Sequence, residues 1–206
     1  MDHLLTTRFL VLRKTPYSES SLVLAGVSPD VGQLHFLVRG ARKLGKRQFP
    51  LADLFDVVEI QYGPSRGSLH TWKSAEATAS YRGVATSVVR FEAASRLAKF
   101  ALGNVQEGLH SPRYFAALTL ALGRLADPAE DEKNAASAAL VGTALVFLEE
   151  HGLLPDYAEN ERLQRQRNWL LKAAETAGPA PVLPPADWQK LEKWTAALLQ
   201  HHDCRE

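Results

Sequence analysis

The sequence contains very little cysteine, and this limits the kinds of site it can build. Cys204 is the single cysteine of 206 residues, so an internal disulfide and a zinc site built from several thiolates are both excluded. The neighbouring His201, His202 and Asp203 are metal-capable. Adjacent residues of a helix point about 100° apart, however, so we do not expect these groups to converge on one ion. The sequence therefore predicts no bound metal and no cofactor.

Long hydrophobic runs and targeting signals are also lacking. The longest nearly apolar stretch, Ala135 to Leu148, is interrupted by polar residues and glycine. It is shorter than the roughly 20 residues that span a bilayer. The opening MDHLLTTRF has no basic segment followed by an apolar run and a cleavage site. We expect a cytoplasmic protein without a membrane partner.

Catalytic motifs are missing as well. The sequence has no phosphate-binding G-x-x-x-x-G-K-[ST] loop, no G-x-G-x-x-G fingerprint, no G-x-S-x-G elbow and no H-E-x-x-H pair. We therefore expect that the protein is not an enzyme. An enzyme without a known motif would need a deep pocket that holds coupled titratable groups.

The charge of the chain is distributed unevenly. Residues 1–82 contain 11 Lys and Arg against 7 Asp and Glu, whereas residues 83–206 contain 13 against 16. The first part is thus positive and the second negative, although the whole chain is only +1. A contact with a polyanion is expected mainly on the N-terminal part.

Residues 1–80 are predicted to form a small β-barrel. Five short apolar-rich runs, separated by turn signals, are TTRFLVLRKT, ESSLVLAGVS, VGQLHFLVRG, LFDVVEIQYG and GSLHTWKSAEA. In the third run Leu34, Phe36 and Val38 alternate with more polar residues, as in a half-buried strand. Five strands in so short a segment favour an OB-fold-like barrel over a sandwich. A five-stranded open sheet is the alternative.

Residues 81–206 are predicted to be helical, which makes the fold class α+β. After Arg82 apolar residues recur at steps of three and four, the period of an amphipathic helix. Further helices are predicted from Pro112 to Asp127, from about 131 to 151, from about 157 to 177, and from Ala186 onward. The helix from about 131 to 151 is apolar on most sides over its second half and is expected to lie centrally.

Basic residues cluster after the third predicted strand. The nine-residue segment 39–47 contains five cations and no acid: Arg39, Arg42, Lys43, Lys46 and Arg47. One interpretation is a phosphate-binding loop, and the other is a solvated turn. Two cations of the first strand, Arg13 and Lys14, are candidates to extend this patch.

Aromatic side chains near the basic patch are candidates for stacking on bases. Barrels of this type bind single strands in basic grooves that contain aromatic residues. The candidates are Phe9, Tyr17, Tyr62 and Trp72, each of which could instead pack in the core or a turn. Trp72 is preferred because it shares a strand face with His70.

The quoted residues resemble the RecO family of bacterial recombination mediators. FLVLRKTPYSESSLVLAGVSPDVGQLHFLVRGARK is similar to the first three strands of that family, including the Gly-Ala-Arg-Lys that ends the third strand. Ala75-Glu76 resembles the close of the fifth strand, and LEEHGLLPDY resembles a helix end with Gly-Leu-x-Pro. The main resemblance covers about the first 80 residues.

The resemblance implies an N-terminal OB-fold and a helical domain that bind single- and double-stranded DNA and anneal complementary strands. It also implies two partners, the tail of single-stranded-DNA-binding protein and a RecR-like protein. Many members carry a four-cysteine zinc finger after Gly-Leu-x-Pro, but Tyr157 to Trp169 contains no cysteine. The leading hypothesis is a DNA-binding, strand-annealing mediator of recombination in DNA repair. The alternative is a protein-interaction adaptor whose OB-fold has lost DNA binding.

Overall fold

The computed structural model describes residues 4–39, 52–63, 67–155 and 160–205, which divide into two compact units. The barrel unit comprises the described residues up to Arg82 together with Asn104–Pro112. The helical unit comprises Gly83–Gly103 and the described residues from Arg113 onward. The α+β fold class expected from the sequence is confirmed.

The barrel unit is built on five strands that close into a barrel. They are β1 (Leu5–Pro16), β2 (Leu22–Ser28), β3 (Gly32–Val38), β4 (Asp56–Gly63) and β5 (His70–Ser80). Around the barrel the order is β1-β2-β3-β5-β4, and every pair is antiparallel except β3 with β5. The prediction of a closed OB-fold-like barrel, rather than an open sheet, is confirmed.

The core of the barrel is aromatic at its centre. The predicted alternation of β3 places Leu34, Phe36 and Val38 inside. The ring of Phe36 lies edge-on to Phe9, with ring centroids 4.9 Å apart, and to Tyr62, with centroids 5.3 Å apart. Edge-to-face aromatic pairs add to the free energy gained from burial, so this cluster stabilises the barrel.

A segment distant in sequence completes the barrel unit. Asn104–Pro112 lies against the turn between β2 and β3. The amide of Gly108 donates to the carbonyl oxygen of Val31 at 2.9 Å, and the amide of Ser111 donates to Pro29 at 3.1 Å. The turn is therefore held by backbone hydrogen bonds to residues that follow it by about 80 positions.

The helical unit contains five α-helices after a short 3₁₀-helix at Arg82–Thr86, among the described residues. They are α1 (Val88–Asn104), α2 (Pro112–Ala126), α3 (Glu132–Glu150), α4 (Glu161–Glu175) and α5 (Pro185–His201). α3 begins after Asp131, whose carboxylate accepts a hydrogen bond from the amide of Asn134. Buried residues occupy most of α3, as its apolar composition predicts. None of the described helices is long and apolar enough to cross a membrane.

Candidate nucleic-acid interface

A β-bulge in β1 turns Arg13 to the outside of the barrel. Phe9 and Val11 belong to the barrel core, and strict alternation would place Arg13 on the same inner side. The register of β1 against β2 shifts between Val11 and Arg13, so that Leu12 is an extra residue. Arg13 therefore pairs with Ala25 and is exposed. A bulge commonly re-aims a side chain in this way.

The outward face of β1, β2 and β3 carries cations but no carboxylate on its described residues. Core residues of β2 and β3 point inward, so the residues between them point outward. Arg13, Ala25 and His35 form one row across the three strands. Val23 and Leu37 are half-buried and pair with each other two residues away along β2 and β3. The exposed Arg39 directly follows β3. We call Arg13, Val23, His35, Leu37 and Arg39 the cationic face.

The charge of this face depends on His35. Partial burial and the cation of Arg13 lower the pKa of His35 below its ordinary value of 6.5, and the carboxylate of Glu107 opposes this effect. His35 is thus neutral near pH 7, where its ring can donate or accept one hydrogen bond. Its protonation in acid would add a third cation beside Arg13 and Arg39.

Lys14 has a carboxylate partner in the structure. Its ammonium donates to Oδ1 of Asp53 at 2.7 Å, and both side chains are partly exposed. This hydrogen bond is the main cause of the lowered pKa of Asp53, with a second contribution from the amide of Leu54. Lys14 can contact a phosphate only by exchanging or sharing this partner, whereas Arg13 and Arg39 form no ion pair with another described residue.

Trp72, the preferred stacking candidate, packs inside the barrel. It is 8% exposed, and its ring centroid lies 6.0 Å from that of Phe36. Phe9 and Tyr62 are buried still more completely, whereas Tyr17 is 65% exposed. Stacking of a base on Trp72 would require the barrel to open. The aromatic candidate that solvent reaches is therefore Tyr17.

The remaining predicted contacts, Arg42, Lys43, Lys46 and Arg47, lie outside the described residues. Their role stays a prediction from the sequence. Charge and strand order pointed to Arg13 and Arg39, but no local sequence pattern predicted the bulge that turns Arg13 outward. The alternation of β3 placed His35 on the outer face, opposite Phe36.

The helical unit contains a separate apolar groove between α4 and α5. This groove encloses about 300 Å³. Its apolar wall is formed by Leu163, Leu170, Leu191 and Trp194, and its cationic lining residues are Arg167 and Lys190. Lys190 also contacts Asp187 at 2.9 Å, which partly offsets its charge. Within the described residues, no cluster of three or more His, Cys, Asp or Glu side chains could hold a metal ion.

These features define the class of protein: an OB-fold-like barrel with a cationic outer face, followed by a helical unit. Residues 1–81 match the family of the recombination protein O N-terminal domain. The DNA repair protein RecO of Synechococcus elongatus and that of a second Synechococcus strain are each 30% identical to this chain over 125 residues. In its first 81 residues, the chain is thus similar to the N-terminal domain of the RecO family.

The match to these relatives is partial. The 125 matched residues are 61% of this chain and 47% of each relative, so the chain spans about half the length of the curated relatives it matches. The family model ends at residue 81, close to the end of β5 at Ser80.

Proposed function

We propose that the protein is a non-enzymatic mediator of DNA repair that binds single- and double-stranded DNA and anneals complementary strands. The observation that carries the proposal is the cationic face. Arg13 lies on β1 and Arg39 follows β3, with β2 between these strands, and the described outward residues of β2 and β3 include no carboxylate. The match of residues 1–81 to the family of the recombination protein O N-terminal domain, together with the similarity to DNA repair proteins RecO, supports a role in DNA repair, and the cytoplasm is the expected site of action.

The physical basis of binding is the exchange of counterions. A cation that contacts a phosphate releases a condensed counterion, and each contact contributes roughly −0.7 to the slope of log affinity against log salt on single strands. The half-buried Val23 and Leu37 offer an apolar surface for bases between Arg13 and Arg39. These two residues lie on β2 and β3, and OB-folds bind oligonucleotides on the face formed by their strands 2 and 3.

Annealing by this surface needs no cofactor. Two complementary strands repel each other through their phosphates, and cations on one protein lower that repulsion. Base pairing then supplies the driving force. The proposal therefore includes no hydrolysis and no bound nucleotide.

The proposal is tested by a salt titration of labelled single-stranded DNA against the wild type and the double variant Arg13→Glu/Arg39→Glu. A control variant, Lys133→Glu/Lys172→Glu, changes the net charge equally but alters exposed residues of α3 and α4. We expect the first variant to lose affinity and to flatten the salt slope by about 1.4, since two contacts are lost. Equal losses in both variants would show that only net charge matters.

A second function, docking of a partner, is favoured by the groove between α4 and α5. We propose that this groove binds the acidic, Phe-ending tail of single-stranded-DNA-binding protein. Its apolar wall suits the terminal aromatic ring, and Arg167 and Lys190 suit the acidic residues and the terminal carboxylate. The partnership with a RecR-like protein, which the family resemblance implies, stays a prediction without an assigned surface.

Calorimetry with the tail peptide tests the docking proposal. We expect binding that is weakened at least tenfold by Lys190→Glu and left unchanged by Lys133→Glu, which alters an exposed residue outside the groove. A protein that binds the tail but no DNA would favour the adaptor alternative. Absence of binding at high micromolar peptide would contradict docking and leave the DNA proposal standing.

A further inference from the structure

Tyr17 is an exposed aromatic residue at one end of the barrel. It follows Pro16, the last residue of β1, and 65% of its surface is accessible. Among the described residues of the barrel unit, the other exposed large apolar side chains are the aliphatic Leu4 and Leu5. An aromatic ring that is exposed to solvent is available to stack on a ligand.

The backbone holds Tyr17 in a defined place. Its amide donates to the carbonyl oxygen of Ser21 at 3.0 Å, which closes the hairpin between β1 and β2. Pro16 pairs with Leu22, so the hairpin turn begins directly after the last strand pair. A ring on an anchored turn loses less conformational entropy on binding than one on an unpaired chain.

Tyr17 also lies next to the cationic face along the strand. Thr15 pairs with Val23, and Val23 pairs with Leu37, so the half-buried apolar pair adjoins the hairpin. Arg13 precedes Tyr17 by four residues, a separation of about 13 Å along an extended strand. A strand of nucleic acid that contacts Arg13 thus has an apolar surface and then an aromatic ring along its course.

We propose that Tyr17 stacks on a nucleobase and gives the protein a preference for single strands over duplexes. Bases of a single strand have open faces, whereas those of a duplex are already stacked on each other. This inference rests on the proposed binding of DNA by the cationic face. It adds to that proposal the residue that distinguishes the two forms of DNA.

The test compares Tyr17→Ala, Tyr17→Phe and the wild type in their affinity for a single strand and for a duplex of the same length. Stacking on one aromatic residue accounts for about a 5- to 150-fold change in affinity. We expect Tyr17→Ala to lose that factor on the single strand and less than about twofold on the duplex. Tyr17→Phe retains the ring and is expected to bind like the wild type. The salt slope should stay unchanged, since no phosphate contact is removed.

A single strand with abasic sites provides the second measurement. If Tyr17 stacks on a base, the wild type and Tyr17→Ala should bind the abasic strand equally. Equal losses on the single strand and the duplex, or an undiminished effect on the abasic strand, would overturn the stacking role. A wild type that binds neither form of DNA would overturn both proposals, whereas DNA binding that is indifferent to Tyr17 would overturn this one alone.

Discussion

Gly26 of β2 lies so close to the bulged part of β1 that it has no room for a side chain. A Cβ on Gly26 would come within 2.8 Å of Cζ of Phe9 and within 2.9 Å of the carbonyl carbon of Leu10. Gly26 pairs with Val11, directly before the register shift that turns Arg13 outward. Gly26, which has no side chain, thus lies at the same bulge that exposes Arg13.

We predict that Gly26→Ala destabilises the barrel. The new methyl group would meet backbone atoms, which cannot move as a flexible side chain does, so we expect a loss of about 1–3 kcal/mol in the free energy of unfolding. Gly67→Ala is the matched control, because no atom of the described residues lies within 4 Å of a Cβ at that position. Urea unfolding of both variants checks this. Equal stability of the two variants would contradict the close approach.

The barrel shows how far the sequence determines the fold. The alternation in β3 predicted its inner and outer faces correctly, because a strand buried on one side must repeat every two residues. In β1 the same rule would have placed Arg13 inside with Phe9 and Val11. The bulge depends on the pairing with β2 and on Gly26. A local sequence pattern does not predict such packing between strands.

For the candidate site, the sequence likewise indicated the residue types but not their partners or burial. Charge alone indicated Lys14, but its partner Asp53 is 39 residues away, so their ion pair follows from the closed barrel and not from spacing. Trp72 and Tyr17 were both aromatic candidates, and only the structure shows that one is buried and the other exposed. The hydrogen bonds from Asn104–Pro112 back to the barrel likewise depend on tertiary contacts.

We predict that Asp53→Asn increases the salt dependence of DNA binding. Removal of the carboxylate releases Lys14 for a phosphate, so the affinity should rise and the slope should steepen by about 0.7. Asp56→Asn would be a poor control, because the carboxylate of Asp56 is buried and lies 3.6 Å from the guanidinium of Arg82. Glu76→Gln, which alters an exposed residue of β5, is the control for the loss of one negative charge.

The same substitution should alter the acid dependence of stability. The lowered pKa of Asp53 means that the ionised carboxylate stabilises the fold above its ordinary value of 3.8. This contribution is lost as the pH falls through the lowered pKa. Because the pair is partly exposed, we expect less than about 1 kcal/mol. Wild type and Asp53→Asn should differ by that amount at pH 6 and converge below pH 3.8, which thermal unfolding measures.

We predict that His35 makes DNA binding tighter in acid. Its lowered pKa keeps the ring neutral near pH 7, and protonation below 6.5 adds a cation beside Arg13. A phosphate should favour the protonated ring, so the affinity is expected to rise as the pH falls from 7 toward 5. His35→Gln should remove most of this rise. A rise that persists in full in His35→Gln would assign the effect to another group.

The sign is opposite for folding stability. The folded protein disfavours protonated His35, so the unfolded chain takes up more protons as the pH falls below 6.5. In the absence of DNA, the stability of the wild type should therefore fall relative to that of His35→Gln over this range. The opposite directions of the two pH effects distinguish a direct contact with phosphate from a general gain in stability.

We predict that Tyr114→Phe leaves the helical unit as stable as the wild type or more so. Tyr114 is 1% exposed, and its hydroxyl is buried without a hydrogen-bond partner in the described structure. Burial raises the pKa of this phenol, which reflects the same desolvation. Removal of an unpaired buried hydroxyl is expected to gain about 1 kcal/mol. Tyr114→Ala, which also removes the ring that packs on Phe147, should cost about 3–5 kcal/mol.

The last prediction concerns the basic segment 39–47, most of which lies outside the described residues. We predict that replacement of Arg42, Lys43 and Arg47 by Glu lowers DNA binding and annealing together. If four to five phosphates are contacted, the salt slope of the wild type should be about −3, and the loss of three contacts should flatten it to about −1.

The control for this variant reverses three exposed charges of the helical unit, Lys133, Lys172 and Lys193. It has the same net charge as the triple variant, so a general electrostatic effect would lower binding by both. Thermal unfolding of each variant separates lost binding from lost folding. If the triple variant in the basic segment melts like the wild type and keeps its affinity and slope, the segment is a solvated turn. Binding would then depend on the remaining candidate cations, Arg13, Lys14, Arg39 and Lys46, and the adaptor alternative would be favoured if reversal of their charges also had no effect.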